Sequence, residues 1–165
     1  VLLAAAMRGE SDSSGFSACI ESMNQSNSDA VAIFQGCQVT ALTDVTGFGL
    51  LGHLGEILRA SGVGAQVSLS STPVLLGAEA AMLAGVRSSL HAANRQVLAD
   101  YSLVQSLSAD IRLGVLVDPQ TSGGLLATVA AAKADECIHA LHQAGYGKAA
   151  IIGQITAAGT SEVTA

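Results

Sequence analysis

The stretch Leu42-Thr43-Asp44-Val45-Thr46-Gly47-Phe48-Gly49-Leu50-Leu51-Gly52-His53-Leu54-Gly55-Glu56 changes its hydrophobic period in the middle, and so sets the local fold around it. Ahead of it Val39 and Ala41 alternate with Gln38 and Thr40, the period of a strand. From Leu50 the apolar positions Leu50, Leu51, Leu54, Ile57 and Leu58 follow one helix face. Asp44 therefore sits where a strand ends, and glycines open the helix that follows. Gly47 and Gly49 lack Cβ, so the turn can take positive φ and bring backbone N–H groups close to a ligand. A helix N-terminus presents unpaired donors and partial positive charge, which suits a phosphate. Asp44 would repel a bare phosphate but suits the Mg²⁺ of a metal–nucleotide. The same residues also read as a plain strand–turn–helix with Asp44 as a cap.

The chain has 165 residues, enough for one core that removes about two-thirds of the unfolded surface from water. Half the residues are hydrophobic but only 3% are aromatic, so the core is built from Ala, Val, Leu and Ile. No apolar run approaches the roughly 20 residues of a membrane span. Seven basic against thirteen acidic residues give a net charge of −6 with no basic cluster, which argues against nucleic acid as a partner. Cys19, Cys37 and Cys137 are odd in number and form no C-x-x-C pair. They read as small buried hydrophobes in a reducing, cytoplasmic compartment, not as a disulfide frame or zinc site. Val1 to Met7 is already an apolar helical pattern, so the chain reads as a fragment, one domain over residues 1–165.

In chain order, a helix end at Val1–Arg8 and a polar loop precede a helix with Phe16, Cys19, Ile20 and Met23 on one stripe. Ala30 to Phe34 makes a further turn stopped by Gly36. Ala65, Val67 and Leu69 alternate with Gln66 and Ser68 as a strand. Ser71-Thr72-Pro73 is a helix-start signal, with a helix through Ala78–Ala84. The polar segment Arg87–Tyr101 fits a connector or a ligand lid. Strands are expected at Leu113–Val117 and Leu125–Val129, joined by the turn Asp118–Gly124. A helix carrying Ala134, Cys137, Ile138 and Leu141 inward ends at Gly145, a strand covers Ala149–Ile155, and Gly159–Ala165 reads as a frayed tail. The order predicts a mixed α/β (α+β) domain whose sheet has about four or five strands covered by helices.

His139 and His142 share a helix face but have no third ligand there, so a solvated face is the better reading. His53 and Glu56 are also three residues apart, suiting a base, a substrate-orienting pair or a helix-surface hydrogen bond. No Walker loop, G-x-S-x-G or Ser/His/Asp set occurs.

Two motifs carry a family resemblance. Thr43-Asp44-Val45-Thr46-Gly47-Phe48-Gly49-Leu50-Leu51-Gly52-His53-Leu54 and Asp118-Pro119-Gln120-Thr121-Ser122-Gly123-Gly124-Leu125-Leu126 resemble the signature stretches of the selenide, water dikinases (selenophosphate synthetases). Met23-Asn24 and Asn94 are also similar to that family. Either motif alone would fit the wider aminoimidazole ribonucleotide synthetase-like superfamily, which includes purine synthetases, thiamine-phosphate kinases and hydrogenase maturation proteins, or a non-catalytic module on the same fold.

The resemblance covers only the C-terminal domain of the enzyme and implies a three-layer α/β/α unit packed against a missing N-terminal nucleotide-binding domain through which the protein dimerises. It implies formation of selenophosphate from selenide, ATP and water, with AMP and phosphate released and Mg²⁺ required. By position the metal role falls on Asp44. The nucleotide-facing residues would be Thr46, Gly47 and Gly49 in the first motif and Thr121, Ser122 and Gly123 in the second. For the second motif a structural role, with Asp118 and Pro119 fixing a tight turn, accounts equally well for its composition. No catalytic residue is expected in this chain, and alone it is expected to bind Mg²⁺–ATP weakly and turn nothing over.

Overall fold

A computed structural model of the chain describes residues 1–103, 107, 109–159 and 161–165. Three helices open it: α1 (Leu2–Met7), α2 (Ser13–Asn24) and α3 (Ser28–Gly36). They are followed by β1 (Ala41–Asp44), α4 (Gly49–Ser61), β2 (Gly64–Ser68), α5 (Ala78–Leu83), α6 (His91–Asn94) and a 3₁₀ turn at Arg95–Asp100. The second half runs β3 (Ser102–Leu103), α7 (Ile111–Leu116), β4 (Leu125–Thr128), α8 (Ala131–Gln143), β5 (Gly153–Thr156) and β6 (Glu162–Thr164).

The strands form a mixed four-stranded sheet in the order β3-β6-β2-β5 and a separate antiparallel ladder of β1 with β4. In the larger sheet β5 runs antiparallel to β2, while β6 runs parallel to both β2 and β3. The expected mixed α/β fold is present, but the expected single sheet of about four or five strands is a four-stranded sheet with the β1–β4 pair set apart from it.

Helix α4 supplies the centre of the main core. Leu50, Leu51, Leu54 and Leu58 are buried along one face, with Ile57 packed at its side. They meet Ala65, Val67 and Leu69 of the β2 segment, Val163 of β6, and Leu113, Leu116 and Val117 at α7. The α4 stripe and the β2 alternation thus sit where the periodicity puts them. A second cluster joins Ala30 and Cys37 of the α3 segment to Cys137 and Leu141 of α8. A third joins Leu2, Cys19 and Ala78, from α1, α2 and α5. All three cysteines are free and buried. Burial pushes the Cys137 thiol up to about 11, and its hydrogen bond with the Cys37 thiol adds to the shift, so these sulfurs act as core atoms.

Several expectations are corrected. Leu113–Val117 is no strand: Ile111–Leu116 is helix α7, capped by Asp110, whose carboxylate accepts from the Arg112 N–H at 2.8 Å. A run apolar on every side cannot separate a buried strand from a short buried helix. The Asp118–Gly124 turn therefore joins a helix to a strand. Ser71-Thr72-Pro73 starts no helix. Thr72 Oγ1 donates to the Ser68 carbonyl at 2.8 Å, closing a turn, and α5 begins only at Ala78. Gly36 is the last residue of α3, and the left-handed residue beyond it is Gln38, at φ 58°. The strand expected at Ala149–Ile155 is confined to Gly153–Thr156. Arg87–Tyr101 contains α6 and the 3₁₀ turn, so it is an ordered connector.

The largest correction is at the end of the chain. Glu162–Thr164, read as frayed, is a strand hydrogen-bonded on both sides, and Val163 is fully buried. Val163→Ala should therefore lower the unfolding free energy by about 2–3 kcal/mol, combining lost transfer energy with a cavity. Ile155→Ala, at a 43% exposed position, should cost far less. Urea denaturation of the two variants measures the difference, and a frayed terminus would show none at Val163.

Candidate functional site

The two motifs meet at one end of the β1–β4 ladder. Ala41 lies opposite Thr128 and Asp44 opposite Leu125, so the first motif leaves β1 where the second enters β4. The pairing continues into the loops. The Val45 N–H donates to the Gly124 carbonyl at 2.9 Å, and the Gln120 N–H donates to the Thr46 carbonyl at 2.9 Å. Asn94 adds a third support: its Nδ2 donates at 2.9 Å both to the Gly47 carbonyl and to the Val117 carbonyl. One amide thus bridges the first loop to the start of the second. Periodicity gives no signal for this role, although the family resemblance singled out Asn94.

The seven residues expected at the site lie in these two loops or at their edges, Asp44 ending β1 and Gly49 beginning α4, in different settings. Asp44 ends β1 with an exposed side chain. The Thr46 hydroxyl is 3.2 Å from His53 Nε2. Gly47 has no heavy atom within 4 Å of where a Cβ would stand. Gly49 is different. It is buried at φ 70°, and a Cβ there would lie 2.7 Å from the Val117 carbonyl carbon. Its glycine is explained by left-handed backbone and by packing on Val117, with no ligand needed.

In the second loop Thr121 is exposed. Ser122 is at φ 51°, and its hydroxyl donates to the Met23 carbonyl at 3.1 Å. Gly123 passes directly beneath the first loop: a Cβ would fall 2.0 Å from the Val45 carbonyl oxygen. Asn27 Nδ2 donates to the Gly123 carbonyl at 3.2 Å. The α2–α3 connection therefore braces this loop from the other side, and that is where Met23-Asn24 enters the arrangement.

Asp118, the other motif carboxylate, is buried. Ser88 Oγ donates to its Oδ1 at 2.7 Å, and His91 Nδ1 lies 3.7 Å away. Desolvation pulls the His91 pKa below its ordinary value, with Asp118 opposing the shift. A buried carboxylate with hydrogen-bond partners is structural in setting, so Asp118 ties the second loop to the 88–91 segment.

Among the described residues no group of three or more His, Cys, Asp or Glu could hold a metal ion. His142 is bonded through Nε2 to the Ala149 carbonyl at 2.8 Å, so the His139/His142 face is not a metal site. Mg²⁺ is commonly held by one or two carboxylates together with substrate phosphates. An exposed single carboxylate such as Asp44 is chemically suited to that mode, as one ligand to a metal held mainly by phosphates. Helix α4 starts just beyond, and its N-cap Phe48 makes no side-chain cap bond. The first loop thus carries, close together in sequence, an exposed carboxylate, a hydroxyl, an unobstructed glycine and a helix start.

These placements separate the glycines. Gly123→Ala should lower stability by more than about 2 kcal/mol, because the Val45 carbonyl has to move and the loop pairing with it. Gly47→Ala, where a Cβ meets nothing, should melt within a few degrees of the parent. Thermal unfolding of the two variants checks this, and equal melting temperatures would contradict the close approach.

Residues 11–165 match the family described as AIR synthase related protein, C-terminal domain. The chain is 36% identical over 156 residues to a selenide, water dikinase of Burkholderia pseudomallei, covering 94% of this chain and 44% of that protein. It is 34% identical over 146 residues to one from Clostridioides difficile, covering 88% and 42%. A third, from Treponema denticola, is 37% identical over 165 residues and covers 94% and 45%. The chain spans less than half the length of these curated relatives. Among solved structures it is similar to Escherichia coli HypE, a hydrogenase maturation protein, at a TM-score of 0.58 and 22% identity, covering 87% of this chain and 38% of that one. That likeness is one of fold. Among the described residues no helix is long and apolar enough to cross a membrane.

Proposed function

The chain belongs to the AIR synthase related protein, C-terminal domain family, and from that premise we propose that it is the C-terminal domain of a selenophosphate synthetase. The observation that carries the reading is the convergence of both signature motifs on one end of the β1–β4 ladder. The selenide, water dikinases at 34–37% identity support that choice within the family. On this reading the complete enzyme uses ATP, selenide and water, is a cytoplasmic homodimer, and carries an N-terminal nucleotide-binding domain beyond these residues.

Within this chain Asp44 would be a ligand to Mg²⁺ brought in on the nucleotide. Bound there, the metal neutralises phosphate charge. The unobstructed backbone at Gly47 lets a phosphate approach closely, and the start of α4 favours negative charge. Thr121 stands exposed on the neighbouring loop. Ser122 and Gly123 hold that loop in shape through the Met23 and Asn27 bonds. Gly49 serves the site by letting the turn pack on Val117. A phosphoryl-transfer site needs more positive charge than this surface supplies. The chain alone is therefore expected to bind Mg²⁺–ATP weakly and to form no AMP.

Selenide-dependent AMP formation by the full-length protein tests the reading. Asp44→Asn should reduce turnover on the order of 100-fold at ordinary Mg²⁺. The exposed position should keep the change in unfolding free energy below about 1 kcal/mol. Near-normal turnover in that variant would remove the metal role from Asp44, and no AMP from the parent with selenide would remove the reading itself.

A further inference from the structure

His53 is buried in the second turn of α4, and both its ring nitrogens face a partner. Nδ1 lies 3.2 Å from Glu56 Oε2, and Nε2 lies 3.2 Å from Thr46 Oγ1. The Phe48 ring packs on the imidazole at a centroid distance of 5.5 Å, tilted by 47°. Glu56 approaches Nδ1 at ion-pair distance without a hydrogen bond between them, and its negative charge favours the tautomer with the proton on that nitrogen. In the neutral ring Nε2 is then a lone pair, and the Thr46 hydroxyl meets it by donating. The Thr46 proton is thereby turned inward, toward the helix. Its oxygen keeps only lone pairs for whatever lies beyond.

We propose that His53, held by Glu56, is a positioning residue that makes Thr46 a pure hydrogen-bond acceptor at the mouth of the site. The inference rests on the nucleotide reading of the preceding subsection and sharpens it. An oxygen with no proton to give cannot hydrogen-bond a phosphate oxygen, which is also an acceptor. It can accept from a water molecule in the shell of a hydrated Mg²⁺. Thr46 therefore serves the metal side of a metal–nucleotide, alongside Asp44, and not the phosphate side. The Glu56–His53–Thr46 order also explains why a half-exposed carboxylate and a buried imidazole sit one helical turn apart behind the glycine turn.

The first test needs no nucleotide. Nuclear magnetic resonance of isotope-labelled histidine at mildly alkaline pH, assigned with His53→Gln, should find His53 in the Nδ1–H form in the full-length protein. Glu56→Ala should move it to the Nε2–H form without loss of fold, since Glu56 is largely outside the core. The second test reads Mg²⁺ dependence. Glu56→Ala and Thr46→Val should each raise the Mg²⁺ concentration for half-maximal turnover about ten-fold, the range typical of groups that orient a metal's surroundings. The ATP KM at saturating Mg²⁺ should stay near the parent value. The double variant should be no worse than either single one, because both remove the same acceptor. His53→Gln, which keeps an oxygen able to accept from Thr46, should lie between the parent and His53→Leu. An Nε2–H ring in an active parent protein, or additive effects of Glu56→Ala and Thr46→Val, overturns the positioning role alone. A parent protein that forms no AMP with selenide removes the nucleotide reading, and the metal role of Thr46 falls with it.

Discussion

The structure depends on a close backbone approach, with Gly123 lying against the Val45 carbonyl where a side chain would fall 2.0 Å from the oxygen. That approach lets the Val45 N–H reach the Gly124 carbonyl and the Gln120 N–H reach the Thr46 carbonyl. Each such bond contributes only about 1 kcal/mol net, but leaving a buried partner unmade costs more. The pairing therefore selects one loop arrangement more than it adds stability. Asn94 extends the same logic by satisfying two carbonyls, one from each loop, with a single amide. Ser122 and Asn27 complete it from the α2–α3 side. Four segments distant in the chain are locked by two backbone bonds and by the side chains of Asn94, Ser122 and Asn27 on main-chain carbonyls, while Asp44 and Thr121 stay exposed.

The two motif aspartates show how position decides chemistry. Asp118 is buried beside Ser88 and His91. A desolvated carboxylate must be paired, and this one spends its acceptors on the fold. Asp44 ends an edge of a two-stranded ladder with its carboxylate exposed. It remains free to meet a cation from outside. Composition makes both aspartates equal, and only the topology distinguishes them.

Legibility follows the same division between local and distant information. The α4 stripe, the β2 alternation and the inward face of α8 were readable because each buries one face against the core, which imprints a period on the residues. Leu113–Val117 was not, because α7 is short and apolar on several sides, although the Asp110 cap was a usable sign. Glu162–Thr164 was invisible for another reason. Three residues carry no period, and their burial comes from parallel pairing with β2 and β3, which lie far upstream. Ser71-Thr72-Pro73 failed because the hydroxyls that favour a helix start also close turns, as Thr72 does on Ser68. At the site, the motifs named the candidate residues, but their convergence and the separate settings of Gly47 and Gly49 arise from tertiary packing.

The glycine turn and the single open carboxylate also bear on how much of a phosphate site one such surface can supply. Neighbouring phosphates carry several negative charges, and the chain itself has a net charge of −6. Backbone amides and a helix start offer fractional positive charge and lose strength where water has access. A metal ion supplies the concentrated positive charge, but Asp44 alone, among the described residues, cannot enclose it. On the proposed reading the remaining ligands would come from the phosphates and from protein outside these loops. The braced loop pair is suited to that division. A rigid surface presenting one ligand and one oriented hydroxyl loses little entropy when a second surface closes on it, so under the proposed function the loop bonding would also prepare the site for such a surface.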